Sequence, residues 1–207
     1  MADEPDRVPL RDPERLAFFS DAVVAIALTL LALELPVPTG FRNADALRSL
    51  GDAYPEYLAF LISFVVIAAH WTGHHRVFGY LTGLTGRLVR LNMVWLLAIV
   101  LTPLATRTLS QDGAFQVRFI GYATVQALAG LVFLLMVRQM TGHGLLRADT
   151  PARAVTGTRI RLVVLTGAFL VSIPICFLTH WAYLCWAAIP FVTRGVTLLA
   201  DRRAARA

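Results

Sequence analysis

The chain has no lysine: all 19 of its basic residues, among 207 positions, are arginines. That bias is expected of a GC-rich bacterial genome and carries no mechanistic weight. Charge is scarce, at 15% of residues, against roughly 25% in a soluble domain. With 57% hydrophobic residues and a mean hydropathy of +0.64, the composition is that of an integral membrane protein with little room for a soluble domain. Two cysteines, Cys176 and Cys185, both lie in apolar segments. They exclude a disulfide framework, offer no metal-ligand spacing and are expected as buried thiols. No P-loop, GxSxG or GxGxxG string occurs, so the common enzyme signatures are missing. The selectivity-filter string Thr-Val-Gly-Tyr-Gly is absent too, which rules out a cation path built on that carbonyl cage. No acidic pair lies deep in an apolar run to form a proton relay. The net charge of +6 comes from arginines flanking apolar runs, and it points to membrane topology rather than to nucleic acid.

What is present is six apolar runs of spanning length, at about 16–35, 56–79, 88–109, 115–138, 160–180 and 182–200. They predict an all-α integral membrane protein, a single six-span domain over 1–207. The first run is short enough for a signal peptide. Its leader is of mixed charge, however, with Asp3, Glu4, Asp6, Asp12 and Glu14 beside Arg7, Arg11 and Arg15, and Leu35-Pro-Val-Pro38 offers no small-residue cleavage site. It is read as a retained helix. Only His180-Trp181 separates the last two runs, which predicts a tight hairpin. Residues 39–52 are polar with a short outer helix near Asn43–Arg48, and 141–158 read as an inner loop. With the N-terminus inside, fifteen arginines fall on inner segments and four (Arg42, Arg48, Arg107, Arg118) on outer ones. The asymmetry places both termini in the cytoplasm, and the expected location is a bacterial inner membrane.

The first run carries the most information. At about 100° per residue, Phe19, Ala22, Ile26, Leu30 and Leu33 fall near one line, with Thr29 at its edge. Asp21 and Ser20 lie about 140° and 120° from Ile26. One face is a bulky aliphatic stripe, which periodicity alone reads as lipid-facing, as core or as a pore lining. The other face opens with a Ser-Asp pair that needs partners, because unpaired polar groups at bilayer depth are costly. The second run ends His70-Trp71-Thr-Gly-His74-His75-Arg76-Val-Phe78. His70 and His74 are i, i+4, but a zincin would carry Glu directly after His70, where Trp71 stands, so no metal is expected. The reading preferred here is that the His, Trp and Thr side chains face Asp21 and Ser20. Asn92 in the third run is expected to bond between helices. Glu34 is either a solvated interface carboxylate or part of an acidic ring at an outer mouth.

These residues resemble the signature of the transmembrane protein 175 family of endosomal and lysosomal potassium channels and their bacterial homologues. The shared elements are Arg15-Leu-Ala-Phe-Phe19-Ser20-Asp21 followed by an apolar helix, then Trp71, His74-His75 and Phe78, then Asn92 and Leu101-Thr-Pro103. The second half is similar only in hydropathy and length. The resemblance implies a homotetramer in membrane lipid with the first helices lining a central pore. It implies a hydrophobic constriction at Ile26, further pore positions at Leu30, Leu33 and Thr29, and permeant potassium ions with no cofactor. Arg15, Phe19, Ser20, Asp21, His70, Trp71, His74 and Asn92 would form the signature and packing network. The competing reading is a proton-coupled transporter using Asp21 with His70 and His74 as a titrating relay; a non-conducting membrane scaffold is a third.

Overall fold

The computed structural model describes residues 13–204, with side chains through residue 199. Arg7, Arg11 and Arg206, and the side chains of Arg202 and Arg203, all used for the arginine asymmetry, lie outside the described residues. Helix α1 spans Pro13–Leu33 and stops short of Pro36, whose ring disfavours helical geometry in the residue before it. Helix α2, Asn43–Asp52, is the expected short polar helix. Helix α3 spans Tyr54–Phe78 and carries Pro55 in its first turn, where a missing N–H costs nothing. Helix α4 spans Gly86–Ser110. The Thr85 hydroxyl caps it by accepting from the Leu88 N–H at 3.1 Å. Helix α5 spans Phe115–Gly142 and α6 spans Ala152–Ile175.

Two expectations are corrected here. The inner loop expected over 141–158 shrinks to 143–151, because α5 and α6 both run past their apolar windows. Arg153, Arg159 and Arg161 belong to the start of α6, and arginine is a good helix former even where it cannot enter the bilayer. The last span is not one continuous helix. It runs as a 3-10 turn His180–Tyr183, a short α7 over Leu184–Ala187 and α8 over Ile189–Ala204. Pro190 has no N–H to give, and its ring would press on the carbonyl of Trp186, so the helix restarts there. The hairpin link is accordingly Cys176–Thr179, and His180-Trp181 open the 3-10 turn. The region 180–199 is still long and apolar enough to span, which keeps the number of candidate spans among the described residues at six. Cys176 is buried as expected, while Cys185 is half-buried; both are free thiols.

The helices pack in sequence order. The α4–α5 and α5–α6 pairs are the most extensive, α1 lies on α3 and α4, and α8 lies on α6. Their antiparallel runs stack two apolar clusters along the bundle axis. One, at the end where α3 finishes, joins Ile67, Val77, Leu88, Trp95, Phe133 and Met136. The other, where α3 begins, joins Val66, Leu109, Phe119, Tyr122, Phe169 and Trp186. Trp186 holds the broken last span in place: it stacks on Phe119 at 4.6 Å and donates its Nε1–H to Ser172 Oγ at 2.9 Å. Helices α5 and α6 approach closely at Gly130, where a Cβ would collide with the Thr166 hydroxyl and stand 3.2 Å from the Thr166 Cβ.

The two loops at the first of these ends are joined by backbone. Thr82 N–H donates to Leu145 O and Arg147 N–H to Tyr80 O, each at 2.9 Å, around an antiparallel bridge between Leu81 and Leu146. This ties α3–α4 to α5–α6 independently of side-chain packing.

Candidate functional site

Helix α1 has one face inside the bundle and one outside it. Ser20, Val24, Ala27 and Leu31, at i, i+4, i+7 and i+11, are buried against α3 and α4. Opposite them, Phe19 is 51% exposed, Ile26 58%, Leu30 41% and Leu33 79%. Ala22 and Thr29 share this outward side, and the Thr29 hydroxyl turns back to the Ile26 carbonyl at 2.8 Å. The stripe is therefore not core of its own bundle. Phe19, expected within the packing network, is on this outward face instead.

The polar start of α1 is held by two separate contacts. Asp21 Oδ1 accepts from Trp71 Nε1 at 2.9 Å, and its Oδ2 lies 3.5 Å from His75 Nδ1. Trp71 and His75 are one turn apart on α3 with rings 5.4 Å from each other. Deeper in, Ser20 Oγ donates to Leu16 O at 2.8 Å and accepts from Asn92 Nδ2 at 2.9 Å. Asn92 Oδ1 lies 3.0 Å from His74 Nε2. An oxygen there needs a donor, which fixes His74 as the Nε2–H tautomer when neutral. Its ring is held flat between Phe78 at 3.7 Å and Trp95 at 4.5 Å. So α1, α3 and α4 are joined through Ser20, Asn92 and His74, all completely or almost completely buried.

The grouping expected from sequence is thus redrawn. His70 and His74 do not meet Asp21. His70 pairs with Trp95, whose Nε1 is 3.5 Å from His70 Nδ1, and His74 reaches Ser20 only through Asn92. Thr72 bonds its own helix at Ala68 O, 2.7 Å away. Helical phase is the reason: Trp71 and His75 face α1, while His70 and His74 sit one residue, about 100°, around toward α4 and α5. Arg15 is exposed at the start of α1. His75 was noted only as part of the His74-His75 pair, not as the partner of Asp21, and Trp95 was not singled out from sequence. The spacing of His75 from Trp71 signals a shared face, and nothing local signals Trp95.

At the far end of α1, Tyr57 donates to Pro36 O at 2.7 Å, and Glu34 pairs with Arg107 at 3.4 Å in an exposed setting. Glu34 is thus a partly exposed carboxylate at the end of α1 with Arg107 as its partner. A second polar cluster, also not foreseen, lies between α3, α4 and α5. Ser63 Oγ is 2.7 Å from Thr106 Oγ1 and 3.0 Å from Tyr122 OH, and Gln126 Nε2 donates to Thr102 Oγ1 at 3.3 Å.

Comparison with known proteins adds to this geometry. The family model described as endosomal/lysosomal potassium channel TMEM175 matches residues 15–103, the stretch that holds Ser20, Asp21, Trp71, His74, His75 and Asn92. A potassium channel of Streptomyces collinus is 32% identical over 183 residues, 83% of this chain and 89% of that one. The endosomal/lysosomal proton channel TMEM175 of Gallus gallus is 37% identical over 106 residues, 47% of this chain but only 21% of that protein. Among solved structures, the crystal structure of a lysosomal potassium-selective channel TMEM175 homolog from Chamaesiphon minutus matches with a TM-score of 0.71 at 26% identity. That match covers 87% of this chain and 95% of the other.

Proposed function

Since the chain belongs to the TMEM175 family, a family of multi-pass membrane channels rather than enzymes, we propose that it is a potassium-permeable cation channel of a bacterial inner membrane. Four copies assemble with α1 around the axis, and both termini are cytoplasmic. The observation that carries this reading is the outward face of α1, where Phe19, Ile26, Leu30 and Leu33 are apolar, exposed and in line. Four such faces turned to one axis make a narrow aliphatic tube. Ile26, at the centre of the stripe, forms the tightest ring, with Leu30 and Leu33 beyond it. An apolar constriction of this kind closes by dewetting, because a narrow hydrophobic pore empties of water. The Thr29 hydroxyls are the polar groups nearest the ion path.

The anchoring network has a positioning role in this reading. Asp21 with Trp71 and His75, and Ser20 with Asn92 and His74, fix the rotation of α1 so that the stripe points away from α3 and α4. Potassium is the permeant ion and no cofactor takes part. Reconstitution of purified protein in planar bilayers is the test. Unitary current steps with a reversal potential displaced toward that of potassium, from a tetramer by mass, are expected.

One observation bears on a second reading: vertebrate relatives that match just under half of this chain are named proton channels. A transporter relay through Asp21, His70 and His74 has less support, since only His75 lies beside Asp21. Saturable pH-driven flux without current steps would replace the channel reading with that one, and neither signal would leave a scaffold.

A further inference from the structure

At the same end of the bundle as the joined loops, α3, α6 and α8 border an open cavity of about 440 Å³. Arg76 from α3 and Arg153 and Arg161 from α6 line it, together with Tyr80, Thr156 and Thr197. Arginines beside an apolar span ordinarily project into water as topology determinants. Here three arginines from two helices, Arg76 half-buried and Arg153 and Arg161 exposed, line one cavity. Among the described residues, none of the three pairs with a carboxylate. The first turn of α6 carries no acid either. Gly157 leaves the floor of the cavity open, since a Cβ there would meet nothing within 4 Å. Ala154 and Ile160 add apolar surface to the lining, on the same face of α6 as Arg153 and Arg161.

We propose that this cavity binds the phosphate of an anionic ligand, with guanidinium forks and the threonine hydroxyls as donors. The place of the cavity, beside three candidate membrane spans, makes the headgroup of an anionic membrane phospholipid the favoured source. Guanidinium matches phosphate through paired N–H donors, and basic pockets between spanning helices suit lipid headgroups. The site is distinct from the outward face of α1, and its test does not depend on conduction.

The test is ligand-induced thermal stabilisation of the full-length protein in a zwitterionic detergent, titrated separately with dioctanoyl phosphatidylglycerol, dioctanoyl phosphatidylcholine and inorganic phosphate. A bound ligand raises the unfolding temperature by mass action. Saturable stabilisation by the glycerol lipid and not the choline lipid is expected. Arg153→Gln or Arg161→Gln should weaken it about fivefold each. Gly157→Leu fills the cavity with every charge kept, folds because the space is empty, and should weaken binding at least as much. Arg42→Gln, at the other end of the bundle, should leave it unchanged. Arginine-dependent stabilisation by phosphate alone, without an effect of the lipid, assigns the site to a soluble anion. Equal response to both lipids, or an affinity unmoved by all three cavity variants, overturns the proposal.

Discussion

Both carboxylate oxygens of Asp21 are engaged by α3, one by the Trp71 indole at 2.9 Å and one beside His75 at 3.5 Å. A hydrogen bond to a charged group contributes about 1.5–3 kcal/mol, and the partial exposure of Asp21 brings this to the low end. Asp21→Asn should therefore cost about 1–2 kcal/mol, seen as a lower melting temperature and a smaller tetramer fraction. The reversal potential of surviving channels should not move, because the carboxylate faces α3 and not the outward stripe. A stable tetrameric variant with altered cation preference would place Asp21 on the ion path instead. The need for partners at Ser20 and Asp21 was readable from sequence, since polar groups there demand them. Which histidine supplies them was not. That depends on the rotation of α3, and a shift of one residue exchanges His74 and His75 between neighbours.

At the scale of elements, the two faces of α1 make opposite predictions for adjacent residues. Ile26 is outward and Ala27 is buried against the bundle. Ile26→Asn puts amides into the proposed ring and removes its dewetting barrier. A larger resting current and weaker potassium-over-sodium discrimination should follow, at near-normal expression. Ala27→Asn buries an amide and should lower the yield of folded protein without raising conductance. Identical currents from wild type and Ile26→Asn, in verified tetramers, would take Ile26 out of the pore. The α5–α6 contact gives a third test. Gly130→Ala drives a methyl into Thr166, and overpacking of this kind costs about 1–3 kcal/mol. Adding Thr166→Ala should recover much of that stability, because the residues are in direct contact and couple. No loss in the single variant would mean that the helices part freely there. Periodicity separated the two faces of α1 but could not say which one is inward, since a channel lining and a core stripe have the same spacing. Helix ends were less legible: an apolar window marks the bilayer, and α6 continues through arginines that the window leaves out.

For the whole molecule, six spans and their order were legible because the bilayer imposes length and hydropathy on each. The break at Pro190 was visible only as a residue, not as a change of course. The fold puts position 45, between α1 and α3, and position 149, between α5 and α6, at opposite ends of the bundle. In a variant lacking Cys176 and Cys185, an impermeant thiol reagent added outside intact cells should label Asp45→Cys and not Asp149→Cys. Labelling of both from one side is incompatible with the six-span arrangement. The joined loops bear on what inheritance can alter. Their backbone ties run from the Thr82 and Arg147 amides to the Leu145 and Tyr80 carbonyls, so they persist without particular side chains, although the Thr82 hydroxyl adds a bond to Leu145 O at 3.0 Å. A lineage can exchange the residues of 79–85 and 143–151 widely and keep the clasp, provided positions 82 and 147 never become proline and neither loop gains or loses a residue across the bridge. Apart from the Thr85 cap and the buried Leu84, these two loops are bound more in their length than in their letters.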